Sequence, residues 1–159
     1  MHAMRRTDRQ IVDEGRIRGI LEQGRYISIA LCARDEPYVV TLSYGYDAER
    51  ACLYFHVAHE GQKLDIIAEN DRACGTVVLE SGYTQGECEH PFESVVLRGT
   101  IRMVADSDEK RRAIEVLVNH LESDPTVYWA SRKWKLEDRI EGFTALRFDI
   151  EEMTAKHGK

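Results

Sequence analysis

Apolar residues in this chain recur with two different periods. Between residues 13 and 24 they fall at helical spacing as Ile17, Ile20 and Leu21, behind Asp13, whose carboxylate can accept from the free N–H groups of a helix start. A helix opening near Asp13 and stopped by Gly24 is expected. Later segments read as strands, each rich in β-branched or aromatic residues and bounded by turn formers: Tyr26 to Cys32, Tyr38 to Tyr44, Ala51 to Val57, Ala73 to Glu80, Ser94 to Val104 and Phe143 to Ile150. The short polar links Arg34-Asp35-Glu36-Pro37 and Asp47-Ala48-Glu49-Arg50 join the first three as antiparallel hairpins.

Two more helices interrupt the strands. Gly61 to Asn70 carries Leu64, Ile67 and Ala68 on one side and has the length of a cover over one barrel end or sheet edge. The other starts at Asp106-Ser107-Asp108-Glu109, which reads as a capping box, and carries Ile114, Leu117, Val118 and Leu121 on one face until Pro125 marks its end. Ser81 to Glu93 reads as a long loop. Hairpin-joined strands with few helices predict a mainly β chain, an antiparallel barrel or sandwich. Neither a P-loop nor a GxGxxG turn is present, so any nucleotide cofactor is held in another way.

The chain has 159 residues, 43% hydrophobic and 31% charged, which fits one globular domain over residues 1–159. No apolar run reaches bilayer length, and the start Met1-His2-Ala3-Met4-Arg5-Arg6 leads into charge, so a cytoplasmic protein with no membrane partner is expected. Met4 is the expected natural start. The net charge of −6 is spread along the chain and leaves no basic face for nucleic acid. Cys32, Cys52, Cys74 and Cys88 are far apart, with no CxxC pair, and read as reduced thiols with no metal site.

Chemistry concentrates in residues 51–65. Along a strand Leu53, Phe55 and Val57 share one face, expected to be the core, and Cys52, Tyr54 and His56 share the other, expected to be outer and semi-polar. His56 then ends the strand five residues before Gly61 opens a helix. Helix N-termini favour anions, and Lys63 puts a cation in the first turn, where helices normally carry acids. Phosphate is the natural partner for Lys63, and a solvated surface lysine is the other reading. His56 reads either as a strand histidine bonded to a neighbour or as a reactive group.

The segment His56-Val57-Ala58-His59-Glu60-Gly61-Gln62-Lys63 resembles the flavin-binding segment of the pyridoxamine 5′-phosphate oxidase-like split barrels, most closely the nitroimidazole-resistance type. The resemblance continues in Asp8-Arg9-Gln10-Ile11, in the run from Pro37 to Asp47, and in Ser94-Val95-Val96-Leu97-Arg98-Gly99. It implies a six-stranded antiparallel Greek-key split barrel, homodimeric, with FMN in a groove at the interface. By the same resemblance Lys63 grips the phosphate with help from Gly61 and Gln62. His56 and Val57 meet the flavin at the strand end, with His56 as the catalytic candidate. The backbone of Val40, Thr41 and Leu42 runs along the ring, and Ser94 and Val95 flank the cofactor from the other side. Gln62 and Phe92 stand where relatives often have arginine and tyrosine.

The implied activity is an FMN-dependent oxidoreductase that reduces small electrophiles such as nitroaromatics. Haem binding or degradation, with His56, His59 or His90 as ligand, is the alternative within the same fold. A non-catalytic flavin-binding protein is the alternative outside enzymology. Tyr44 and Tyr46 flank Gly45 as packing residues, and Trp129 and Trp134, beside Arg132, Lys133 and Lys135, either anchor the last segment or close over a flavin.

Overall fold

The alternating segments assemble into one eight-stranded sheet of antiparallel pairs, seen in a computed structural model that describes residues 4–132, 136–138 and 140–158. In chain order the elements are β1 (Gln10–Ile11), α1 (Glu14–Gln23), β2 (Tyr26–Ala33), β3 (Glu36–Ser43), β4 (Gly45–Asp47), β5 (Cys52–His56), α2 (Gln62–Glu69), β6 (Arg72–Glu80), β7 (Phe92–Met103), α3 (Ser107–Leu121), α4 (Pro125–Ala130) and β8 (Ala145–Gly158). The spatial order is β3-β2-β6-β7-β8-β5-β4, with β1 added on β8. The two ends of this order, β3 and β4, are joined through Tyr44 alone, so the sheet curls towards closure without a ladder across the seam. Among the described residues no helix is long and apolar enough to cross a membrane.

The six expected strands are all present, and the short β1 and β4 join them. The first hairpin is tighter than expected: Arg34 and Asp35 both take positive φ, 52° and 63°, which makes a two-residue turn and lets β3 begin at Glu36. β8 runs to Gly158 rather than Ile150, because its second half turns Ala155 onto β7 and β1 and leaves charged residues on the other side. The long loop shrinks to Ser81–Pro91 and carries its own bridge between Thr84 and Glu89.

Asp13 accepts from Arg16 N at 2.6 Å and starts α1, as the pattern predicts. Asp106 likewise accepts from Glu109 N at 2.8 Å, but the expected reciprocal contact is missing. The Glu109 carboxylate turns instead to Arg147 at 2.7 Å and Arg102 at 2.9 Å. Pro125 does not merely follow α3: it opens α4, whose N-terminus is capped by Asp124 through Thr126 N and Val127 N. Trp129 lies in this helix, whereas Trp134 with Lys133 and Lys135 lies outside the described residues.

The main core lies inside the curled sheet, where Ile27, Ile29, Leu53, Phe55, Leu97 and Phe148 are fully buried. A second cluster corrects the expectation of a semi-polar face on β5. Cys52 and Tyr54 have no exposed surface, because α3 covers that side of the strand with Ala113 and Leu117. Burial pushes the Cys52 thiol up to about 11, out of the range of a reactive cysteine. Of the outward trio on β5 only His56 reaches solvent.

Candidate functional site

The first turn of α2 is built to present bare backbone. Its N-cap, Gly61, sits at φ 136°, a conformation open to glycine and strained for other residues, and it supplies no side-chain cap. The Gly61 carbonyl accepts from Leu64 N at 2.8 Å and Asp65 N at 3.4 Å, so the N–H groups of Gln62 and Lys63 precede the first intrahelical bond and face outward. The Lys63 ammonium folds back over this end, 3.9 Å from the point where a Gly61 side chain would begin. A lysine charge and two convergent N–H donors on an exposed helix start fit a single phosphate monoester. Gln62, the first residue of α2, carries an amide donor, weaker than a charged one would be.

Five residues upstream, His56 closes β5 with its ring stacked on Phe143, centroids 4.6 Å apart and planes 21° from parallel. Burial lowers its pKa, and the neighbouring His59 adds to the effect, so the imidazole is neutral at pH 7. His59 is itself held, its Nδ1 bonded to the Thr144 hydroxyl, while the Thr144 carbonyl accepts from Val57 N at 3.1 Å. Phe143 and Thr144, just ahead of β8, therefore hold both histidines. No sequence signal marked Thr144, which lies 85 residues from His59 in the chain.

His56 also lines a groove of about 350 Å³ between the end of β5 and the two helices, walled by Leu117, Leu121 and Tyr128, floored by Phe143 and rimmed by Ser43. Ser43 is the last residue of β3, which links this groove to the strand of the next predicted group. Among the described residues β3 pairs with β2 alone, so its outer edge offers backbone N–H and C=O groups free of any ladder there. Val40 and Leu42 turn inward against the core, and Thr41 faces out, its hydroxyl 3.0 Å from that of Ser28. The strand therefore presents its backbone and the Thr41 side at this edge.

The remaining predicted residues are placed apart. Ser94 and Val95 sit on β7, separated from β3 by β2 and β6. The Val95 side chain is fully inside the core, and Ser94 points to the opposite sheet face, 4% exposed. A single chain therefore gathers His56, Val57, Gly61, Gln62 and Lys63 on one segment, with β3 near it, and does not bring Ser94 and Val95 to them. That opposite face is semi-apolar across several strands: Val39 is 65% exposed, Tyr26 64% and Val78 51%.

The sequence profile described as pyridoxamine 5′-phosphate oxidase matches residues 13–157. No curated protein matches by sequence. Among solved structures, the fold resembles that of a candidate 5-nitroimidazole antibiotic resistance protein from Bacteroides thetaiotaomicron, with 24% identity over 94% of this chain and 86% of the other and a TM-score of 0.77. A flavocytochrome from Azotobacter vinelandii aligns at 20% identity over 98% and 72% of the two chains, with a TM-score of 0.79. An FAD- and haem-binding protein from Mycobacterium smegmatis aligns at 19% identity over 95% and 74%, with a TM-score of 0.76. At these identities the likeness carries the split-barrel fold.

Proposed function

The chain belongs to the pyridoxamine 5′-phosphate oxidase family, and from that membership and its own geometry we propose that it is a flavin-binding oxidoreductase using FMN to reduce small electrophiles, nitroaromatics among them. The observation that carries the reading is the Gly61–Lys63 cradle, an exposed helix start with a lysine ammonium folded over it, on the same segment as a stacked histidine. Lys63 and the N–H groups of Gln62 and Lys63 hold the phosphate, and the free edge of β3 around Thr41 borders the ring. The flavin, when bound, supplies the hydride and electron chemistry.

In this reading His56 orients the substrate. A neutral imidazole with a lowered pKa is a poor proton store at pH 7 but offers one donor and one acceptor nitrogen, which suits orienting a polar substituent of the substrate. Ser94 and Val95 reach the cofactor only if a second copy brings them, so the reading includes a homodimer with the cofactor at the interface. Haem is the alternative cofactor: His90 is engaged with Glu80 at 2.9 Å, while His59, bonded to Thr144 through Nδ1, would hold the iron through Nε2.

One spectrum tests this. Purified protein saturated with FMN and desalted is expected to retain a flavin absorbance near one per chain, and Lys63→Ala to lose affinity at least tenfold, the value of one charge-assisted contact of about 1.5 to 3 kcal/mol. Protein that stays colourless overturns the reading, and a Soret band gained on haem addition instead favours the haem alternative.

A further inference from the structure

We propose that the cleft between α1 and the second half of β8 is a binding site for a small carboxylate with an apolar body, its head held by Arg18 and its body laid over Met153. The site stands apart from the flavin reading and from the groove beside His56. Its origin is a break in the sheet. β8 pairs with β7 along its length, but its other edge carries β5 only as far as Asp149 and β1 only at Ala155 and Lys156. Among the described residues no strand covers that edge over residues 151–154, and the opening is a cleft of about 510 Å³, within the range of small-molecule sites.

Met153 marks the break. It stands opposite Leu97 across the β7–β8 ladder, as Ala155 stands opposite Val95, so it belongs to the inner face of the sheet. Leu97, Val95 and Ala155 are buried, yet Met153 is 43% exposed, because the missing strand lets solvent reach it. Ile17 and Leu21, one turn apart on α1, form the facing wall. An apolar body placed between them takes Met153 out of water and supplies the contacts that a strand would have made.

The polar groups of the lining select the head. Among the described residues Arg18 forms no ion pair, although Glu14 stands one turn before it in the same lining. Its guanidinium offers parallel N–H donors in the geometry that a carboxylate accepts. Tyr46 lies in the lining as well: burial raises its pKa against the lowering effect of the Arg18 charge, so the phenol stays protonated and can donate. With Glu14 and Arg18 the lining carries one charge of each sign, which admits a monoanion at Arg18 and opposes a phosphate dianion.

The probes are octanoate, its uncharged counterpart octanamide and the dianion octyl phosphate, titrated calorimetrically into the full chain with and without saturating FMN, while the Met153 methyl signal is followed by NMR. Expected are one octanoate per chain, a shift of the Met153 methyl, and binding about tenfold weaker for octanamide and for octyl phosphate. FMN should leave the octanoate affinity unchanged. Arg18→Gln, at an exposed position of α1, is expected to weaken octanoate about tenfold and to leave octanamide unaffected, whereas Met153→Trp, which fills the cleft, should weaken all three. The proposal is overturned if Arg18→Gln binds octanoate like the parent, if octanamide or octyl phosphate binds as well as octanoate, or if FMN displaces octanoate. It is equally overturned if the Met153 methyl does not respond, whether the cleft stays empty or a second copy of the chain covers it.

Discussion

Gly45 has no side chain because the backbone of Leu117 occupies the place where one would start: a Cβ on Gly45 would stand 2.8 Å from the Cα and N atoms of Leu117 and 2.9 Å from the carbonyl carbon of Val116. Those atoms belong to a helix, not to a flexible side chain, so α3 cannot yield locally. Gly45→Ala is expected to lift α3 from β4 and cost about 1 to 3 kcal/mol, the usual penalty of overpacking. Urea denaturation measures it. Because Leu117 also walls the groove beside His56, the same variant should shift the His56 ring resonances; an unchanged unfolding midpoint would refute the close approach.

What the sequence made legible follows the range of each interaction. The α1 start at Asp13 and the stripe from Ile114 to Leu121 depend on residues three to seven apart, and both appear as read. The start of α2 at Gly61 is likewise local, and the helix opens there. What covers the outer side of β5 is not local: alternation separates Cys52 and Tyr54 from Leu53 and Phe55, but only a helix some sixty residues later decides that both sides are buried. The tail of β8 was hidden for the opposite reason, its exposed acids masking a strand that pairs along its length with β7. Thr144 and its hold on His59 are a tertiary contact with no pattern of their own.

Glu109 ties α3 to the sheet. It accepts from Arg147 and Arg102 and receives the Tyr54 hydroxyl at 3.4 Å, with its side chain 15% exposed. Burial works against its charge, yet the bonds from Arg147 and Arg102 outweigh that and lower its pKa below the ordinary 4.5. A depressed carboxylate contributes stability that is present above 4.5 and lost as pH falls through the folded value. Glu109→Gln should cost about 1.5 to 3 kcal/mol at pH 7 by leaving Arg147 half-buried and underpaired. Its deficit relative to the parent should narrow below pH 4.5; a deficit constant down to pH 3 would show that the charge is not what matters.

His120 sets a second, milder pH dependence. Its ring rests on Tyr44 with centroids 4.9 Å apart, and Nε2 donates to the Gly24 carbonyl at 2.7 Å, joining α3 to the end of α1. Burial lowers its pKa from 6.5, more than the Gly24 bond raises it. The unfolded chain therefore takes up a proton before the folded one does, so stability present above pH 6.5 declines as pH falls from there towards the folded pKa. His56, lowered by burial and by His59, adds to the same slope. Thermal unfolding between pH 7.5 and 5.5 should show the decline, and His120→Gln, which keeps a donor for Gly24, should flatten part of it.

The exposed side of β3, β2, β6 and β7 sets the last expectation, because it completes the proposed cofactor site. In register across the strands lie Val39, Thr41 and Ser43, then Tyr26, Ser28 and Ala30, then Cys74, Thr76 and Val78, then Ser94 and Val96. This run keeps large apolar groups such as Val39 and Tyr26 in solvent and carries one charge in register with Cys74, the exposed Arg98, a surface suited to a partner of the same kind. A twofold copy packed on it would also carry a second Ser94 and Val95 towards the first chain's β3 edge, which no single chain achieves. Sedimentation velocity should find a dimer at micromolar concentration. Val78→Glu places two like charges near each other in such an interface and should drive dissociation, at a cost of several kcal/mol, while leaving each barrel folded because the residue is 51% exposed. FMN retention should fall along with dimer content. A variant that stays dimeric, or a monomer that holds FMN as tightly as the parent, would detach the cofactor site from the second copy.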